Sequence, residues 1–164
     1  FSEKLKKYVE SNLPNDHDKR RVMIMTDPLR ELMKAKDLYL YFDTIKECID
    51  TLDKNVMLYL KFHPREIQSS RDRIIEIARK SGLKYKVLSE EVNICVEYFL
   101  QLYHFEKIYF FNAATYFYNG YAFPKTEFVK LMPILYKKAK SVGVGNLTYM
   151  ENMLKMIEPI AIDK

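Results

Sequence analysis

Apolar positions along the chain switch repeatedly between two spacings. Residues 2–12 place Leu5, Tyr8 and Val9 on one helical face. The polar stretch NLPNDHDKRR, 12–21, reads as a loop broken at Pro14. VMIM, 22–25, is a short continuous apolar run, the pattern of a strand buried on both faces, and Pro28 in TDPL ends it. Residues 38–53 return to helical spacing, with Leu38, Phe42, Ile45, Ile49 and Leu52 forming one stripe.

The segment NVMLYLKFHPRE, 55–66, opens as a second buried strand and runs into Lys61, His63, Pro64 and Arg65. A helix over about 69–81 uses Ile74, Ile75, Ile77 and Ala78, and Gly82 is placed to end it. KYKVL, 84–88, is a third strand. Ser89 caps a helix over 90–103 that carries Glu90 and Glu91 in its first turn. KIYFF, 107–111, is a fourth strand, and NAATYFYNG begins a short helix after it. Residues 126–140 are helical in pattern, kinked or split at Pro133. VGVGN, 142–146, is a loop or a short fifth strand, and Asn146 caps a last helix ending near Pro159.

Strands that alternate with helices predict an α/β, Rossmann-like three-layer αβα domain with a mostly parallel sheet. A length of 164 residues suits a single such domain over 1–164, with 1–20 as a helix and loop leading in. Such sheets bind ligands beyond the carboxyl ends of their strands. That rule puts Lys61, His63, Pro64 and Arg65 where a ligand belongs. His63 supplies one or two hydrogen-bond donors, and a nearby phosphate favours its protonated form. Pro64 fixes the backbone that aims it, and strand alternation puts Lys61 on the same face as His63. The alternative is a histidine capping a loop carbonyl beside a solvated lysine.

No GxGxxG or GxxxxGK[ST] occurs, so phosphate binding falls to side chains and helix N-termini. NAAT, 112–115, lies where the fourth strand turns into a helix; its N–H groups, with Asn112 and Thr115, suit a phosphate, or Asn112 merely caps the helix. Glu97 falls mid-helix on the stripe carrying Asn93, facing ribose hydroxyls or solvent.

Composition narrows the setting. The net charge of +5 favours anionic partners or marks a solvated lysine-rich surface. Cys48 and Cys95 sit in apolar helical patterns without metal spacing and read as reduced, buried thiols of a cytoplasmic protein. No stretch has the length of a membrane span, and FSEKLKKYVE is too charged for a signal peptide. It also lacks an initiator methionine, so the chain reads as a piece of a longer protein. His17 reads as solvated and His104 as complementing a helix end. YFYNGYAF, 116–123, is core or pocket lining. Lys137, Lys138 and Lys140 form a membrane-facing or acidic-partner surface, or a solvated helix face. No stacking-aromatic and basic-groove pattern points to nucleic acid.

Three segments in order resemble the bacterial sialyltransferases of GT-B architecture. KFHP resembles their Lys-x-His-Pro motif, NICVEYFL their apolar-flanked glutamate helix, and FFNAATYF the segment that usually carries a Ser-Ser or Ser-Thr pair. TDPL and HPRE look most like the lipooligosaccharide and capsule branch. The resemblance covers about 60 residues. It implies the C-terminal donor-binding half of a glycosyltransferase, metal-independent and without a cofactor, whose donor is CMP-sialic acid. By it, Lys61 contacts cytosine, and His63, shaped by Pro64 and flanked by Arg65, binds the phosphate and stabilises departing CMP. Glu97 holds the ribose, and Asn112, Ala113, Ala114 and Thr115 complete the cradle.

Two departures stand out. Ala113 and Ala114, or Ala114 and Thr115, replace the serine pair. No Asp/Glu-Asp-Gly motif occurs, so the general base and the glycan acceptor site are expected in an N-terminal domain, and this chain alone is expected to be inactive. The implied place is the cytoplasm, peripheral to the inner membrane. These motifs do not encode the oligomeric state. Two other readings fit the same residues: a non-catalytic Rossmann-like module with a structural histidine, and a GT-B transferase using another nucleotide sugar.

Overall fold

The computed structural model describes residues 3–12, 20–88, 96–112 and 122–157. Helix α1 spans Glu3–Asn12, and strand β1 then runs Arg20–Met25. Two short 3-10 turns, Leu29–Glu31 and Ala35–Asp37, lead into α2, Tyr39–Asp50. After β2, Val56–Lys61, come α3, Gln68–Lys80, and β3, Lys84–Val87. Helix α4, Val96–Leu102, precedes β4, Lys107–Phe110, and β5, Glu127–Lys130. Two further helices follow, α5 at Met132–Ser141 and α6 at Thr148–Ile157.

All five strands pair in parallel, in the order β3-β2-β1-β4-β5. The expected Rossmann-like α/β architecture is therefore present. Side chains of β1 alternate between two cores. Val22 and Ile24 join Leu58, Leu60, Tyr109 and Phe111 beneath α2, α3, α5 and α6. Met23 joins Met57, Tyr59 and Ile108 beneath α4. A strand covered on both faces needs apolar residues at every position, which is why VMIM lacks polar alternation. Because β1 lies between β2 and β4, the chain reverses its direction across the sheet there. The crevice of such a reversal opens at the carboxyl tips of β1 and β4.

The structure corrects the sequence reading of residues 126–140. Residues 127–130 are an edge strand, not the start of a helix: Glu127 to Lys130 pair with Lys107 to Phe110. Apolar Phe128, Val129, Leu131 and Met132 fit either period, and pairing with β4 decides between them. Pro133 falls in the first turn of α5, where its missing N–H costs nothing. Residues 142–146 are a loop, the first of the two alternatives read there. Gly143 takes φ +74°, and the Val144 N–H turns back to the Ala139 carbonyl at 3.0 Å. Helix α2 buries Leu40, Tyr41, Thr44, Ile45, Cys48 and Ile49, and the rest of the expected stripe, Leu38, Phe42 and Leu52, packs half-buried against the same core.

Gly82, at φ +72°, ends α3 as expected. The Asn146 side chain accepts the Thr148 N–H at 3.1 Å at the start of α6. Cys48 is a buried free thiol whose pKa burial pushes up to about 12. His104 is exposed. Among the expected features, Pro14, His17, the Ser89 cap with Glu90 and Glu91, Asn93, Cys95, most of NAATYFYNG and Pro159 lie outside the described residues. Among the described residues, no helix is long and apolar enough to cross a membrane.

Candidate functional site at the tips of β1, β2 and β4

The tip of β1 organises the site. The Thr26 N–H continues the ladder onto the Lys61 carbonyl at 3.0 Å, one residue beyond the strand. Its hydroxyl oxygen then accepts the His63 N–H at 3.0 Å. Thr26 and Asp27 are both buried, although neither is apolar. The Asp27 carboxyl accepts the main-chain N–H of Asn112, just past β4. The two residues just past β1 therefore hold the tip of β2 on one side and the tip of β4 on the other.

His63 sits half-buried in a tight turn. The Glu66 N–H donates to the His63 carbonyl at 2.8 Å, and the Arg65 N–H donates to His63 Nδ1 at 3.1 Å. Only a ring unprotonated at Nδ1 can accept that bond, so the proton of the neutral ring lies on Nε2. Arg71 of α3 clamps the turn from outside. Its Nε donates to the Glu66 carbonyl at 2.7 Å, and its Nη2 reaches the carbonyls of His63 and Pro64 at 3.4 and 3.3 Å. Its guanidinium also lies over the Phe62 ring, 5.7 Å from the centroid.

Beneath this turn lies a buried polar layer. Tyr41, fully buried, accepts the Asp27 N–H on its hydroxyl oxygen at 3.3 Å and donates to Glu66 Oε2 at 3.1 Å. Burial pushes the Asp27 carboxyl up to about 7, with the Asn112 N–H opposing and the neighbouring Glu66 adding to the rise. Burial also raises the Glu66 pKa, against the Tyr41, Thr26 and Ser70 hydroxyls and Arg71. The Tyr41 phenol is held well above its ordinary value, chiefly by burial.

The other expected residues divide between the two sheet faces. Lys61, half-buried, ends β2 on the face of Met57 and Tyr59. Glu97 is half-buried on α4, which packs against that same face. Strand alternation stops at Lys61, so it does not set the direction of the His63 ring, which its own turn and Thr26 hold. Arg65 is exposed and pairs with Glu31 at 3.2 Å, and Pro64 is exposed at the turn's crest. Asn112 is half-buried, and its side chain meets the hydroxyl of Tyr149 from α6. Ala113, Ala114 and Thr115 lie outside the described residues. Lys138, from the lysine-rich helix, pairs with Glu47. Among the described residues, no group of three or more His, Cys, Asp or Glu side chains is placed to hold a metal ion.

Sequence reading missed Asp27, Tyr41, Glu66, Arg71 and Tyr149. Two signals were present. TD directly precedes the proline that ends a buried strand, and Glu66 follows His63 by one short turn. The other three gain meaning only through contacts made by folding. No family model, curated protein or solved structure matches the chain.

Proposed function

We propose that the chain is the donor-binding domain of a glycosyltransferase that uses CMP-sialic acid in bacterial lipooligosaccharide or capsule synthesis. One observation carries the reading. His63 and Asn112, from two of the three resembling segments, are held by the adjacent residues Thr26 and Asp27, just past β1 at the point where the sheet reverses. That is where a parallel sheet receives a nucleotide. In this reading His63 donates from Nε2 to the phosphate, and Arg65 adds positive charge beside it. The side chains of Asn112 and Thr115, with the main-chain N–H groups of Ala113, Ala114 and Thr115, complete the cradle. Lys61 and Glu97, assigned to the same sheet face, take the cytosine and the ribose. Donors aimed at the departing phosphate stabilise the charge that develops as the glycosidic bond breaks. The acceptor and its general base belong to another domain.

Calorimetric titration with CMP, CDP, UMP and UDP tests the reading. The expectation is micromolar to millimolar affinity for CMP and a weaker response to UMP. Preference for a uridine nucleotide would instead indicate another nucleotide sugar. Binding of none would favour a non-catalytic module. The tie between the Arg65 N–H and His63 Nδ1 is the observation on that side, because it gives the imidazole a task within its own turn.

A further inference from the structure

Two buried carboxyls lie beneath the strand tips, and neither belongs to the phosphate cradle itself. Asp27 is 7% exposed and Glu66 4%. One phenol joins them. The Tyr41 oxygen accepts the Asp27 N–H at 3.3 Å, and its single proton goes to Glu66 Oε2 at 3.1 Å. The Asp27 carboxyl therefore gains no donor from Tyr41 and rests on the N–H of Asn112. Glu66 Oε1 has no hydrogen-bond partner among the described residues.

The positive charge around this pair is only partly turned toward it. Arg71 of α3 gives N–H groups to the carbonyls of His63, Pro64 and Glu66, and its charge opposes the upward shift at Glu66 without cancelling it. Arg65 is exposed and pairs with Glu31 at 3.2 Å. Tyr149 of α6 brings a phenol to the Asp27 side and no positive charge. Two carboxylates with so few donors cannot both be held cheaply away from water, so one of them keeps a proton. Burial, with the Glu66 charge adding to it, accordingly pushes Asp27 up to about 7.

Asp27 is also tied to the cradle. Its carboxyl holds the N–H of Asn112, and its neighbour Thr26 holds the N–H of His63. An anion bound at these tips adds negative charge beside Asp27 and makes its ionisation costlier still. The coupling is reciprocal, so a proton on Asp27 favours the anion to the same extent. We propose that Asp27 is a proton switch for the strand-tip site: an anion binds there with uptake of a proton by Asp27 and is released as Asp27 ionises, and Glu66 sets the pH at which this happens. The inference rests on the phosphate reading of the tips and not on the choice of nucleoside.

The test measures dissociation constants between about pH 6 and 8.5 for the methyl ester of CMP, whose phosphate has no second proton to lose, and for sulfate. The amide NMR shifts of His63 and Asn112 report binding and, without ligand, the titration itself. The proteins are the full chain, Asp27→Asn and Glu66→Gln. His63 is common to all three, so its own titration cancels from the comparison. The state with bound anion holds the extra proton, so affinity is highest at low pH and falls as pH rises through about 7. The unaltered chain is expected to lose about tenfold in affinity across the range, and Asp27→Asn less than about twofold. Glu66→Gln should keep the loss but move its midpoint to lower pH.

Equal pH dependence in the unaltered chain and Asp27→Asn would overturn the switch and leave the phosphate reading standing. Sulfate binding with the expected pH dependence, and an ester that binds no more tightly than sulfate, would support the switch and sink the nucleotide reading. No response of either amide to either anion at any pH would overturn both. If the variants do not fold, the unaltered chain still decides: a midpoint of the Asn112 amide titration that rises on adding the ester supports the switch, and an unmoved midpoint overturns it.

Discussion

The main-chain N–H of His63 donates to the side-chain oxygen of Thr26 at 3.0 Å, across the gap between two parallel strands that have already ended. A threonine hydroxyl at the tip of β1 thereby sets the position of an imidazole at the tip of β2. Next to Thr26, Asp27 performs the same service for the N–H of Asn112. The geometry of three strand tips depends on two small polar side chains.

Asp27 should make stability fall as pH rises. Its folded pKa of about 7 lies above the unfolded value of 3.8, so the folded state holds the extra proton between them. The favourable contribution is full below the unfolded pKa and is lost as pH rises through about 7. The span corresponds to at most on the order of 4 kcal/mol. Asp27→Asn should flatten the slope between these values and raise the urea midpoint above that of the unaltered chain at pH 8. Glu66, also shifted upward, retains a smaller slope of the same sign. Equal slopes for the two proteins would refute the assignment to Asp27.

Removing the Tyr41 hydroxyl should be costly without creating a large cavity. Tyr41→Phe strands the Asp27 N–H and Glu66 Oε2, each in a buried setting. A loss of about 1–3 kcal/mol is expected in chemical denaturation. A loss below about 0.5 kcal/mol would mean that the layer is satisfied in some other way.

Pro133→Ala separates the observed helix boundary from the one expected. In the first turn of α5 the change should stay within about 1 kcal/mol, and any loss would come through the unfolded state. Inside a helix running from 126 to 140, the same change would relieve a break and add about 3 kcal/mol. A large gain in thermal stability would therefore contradict the edge strand at Glu127–Lys130.

How much of this was legible follows from particular residues. VMIM, VMLYL and IYFF are uninterrupted apolar runs of strand length, the pattern of strands covered on both faces, so β1, β2 and β4 were readable. EFVK was not, because Glu127 is exposed, the other three residues are only half-buried at an edge, and the run matches a helical period equally well. His63 was legible through its place after a buried strand. Tyr41 was hidden because Phe42 completes the helical stripe, while the buried face of α2 is wide enough to take in Tyr41 as well, which packs edge-on against Phe111 at 4.9 Å. Tyr149 comes from the far end of the chain and reaches Asn112 only after α5 and α6 have packed. No local pattern encodes that meeting.

The most direct measurement is the CMP dissociation constant of the full chain beside His63→Ala, with circular dichroism to establish that both are folded. The account predicts measurable CMP affinity that falls at least about tenfold in the variant, since a hydrogen bond to a charged phosphate is lost. Equal affinity in the two folded proteins would show that residue 63 does not meet the anion, and the donor-binding account would fail with it.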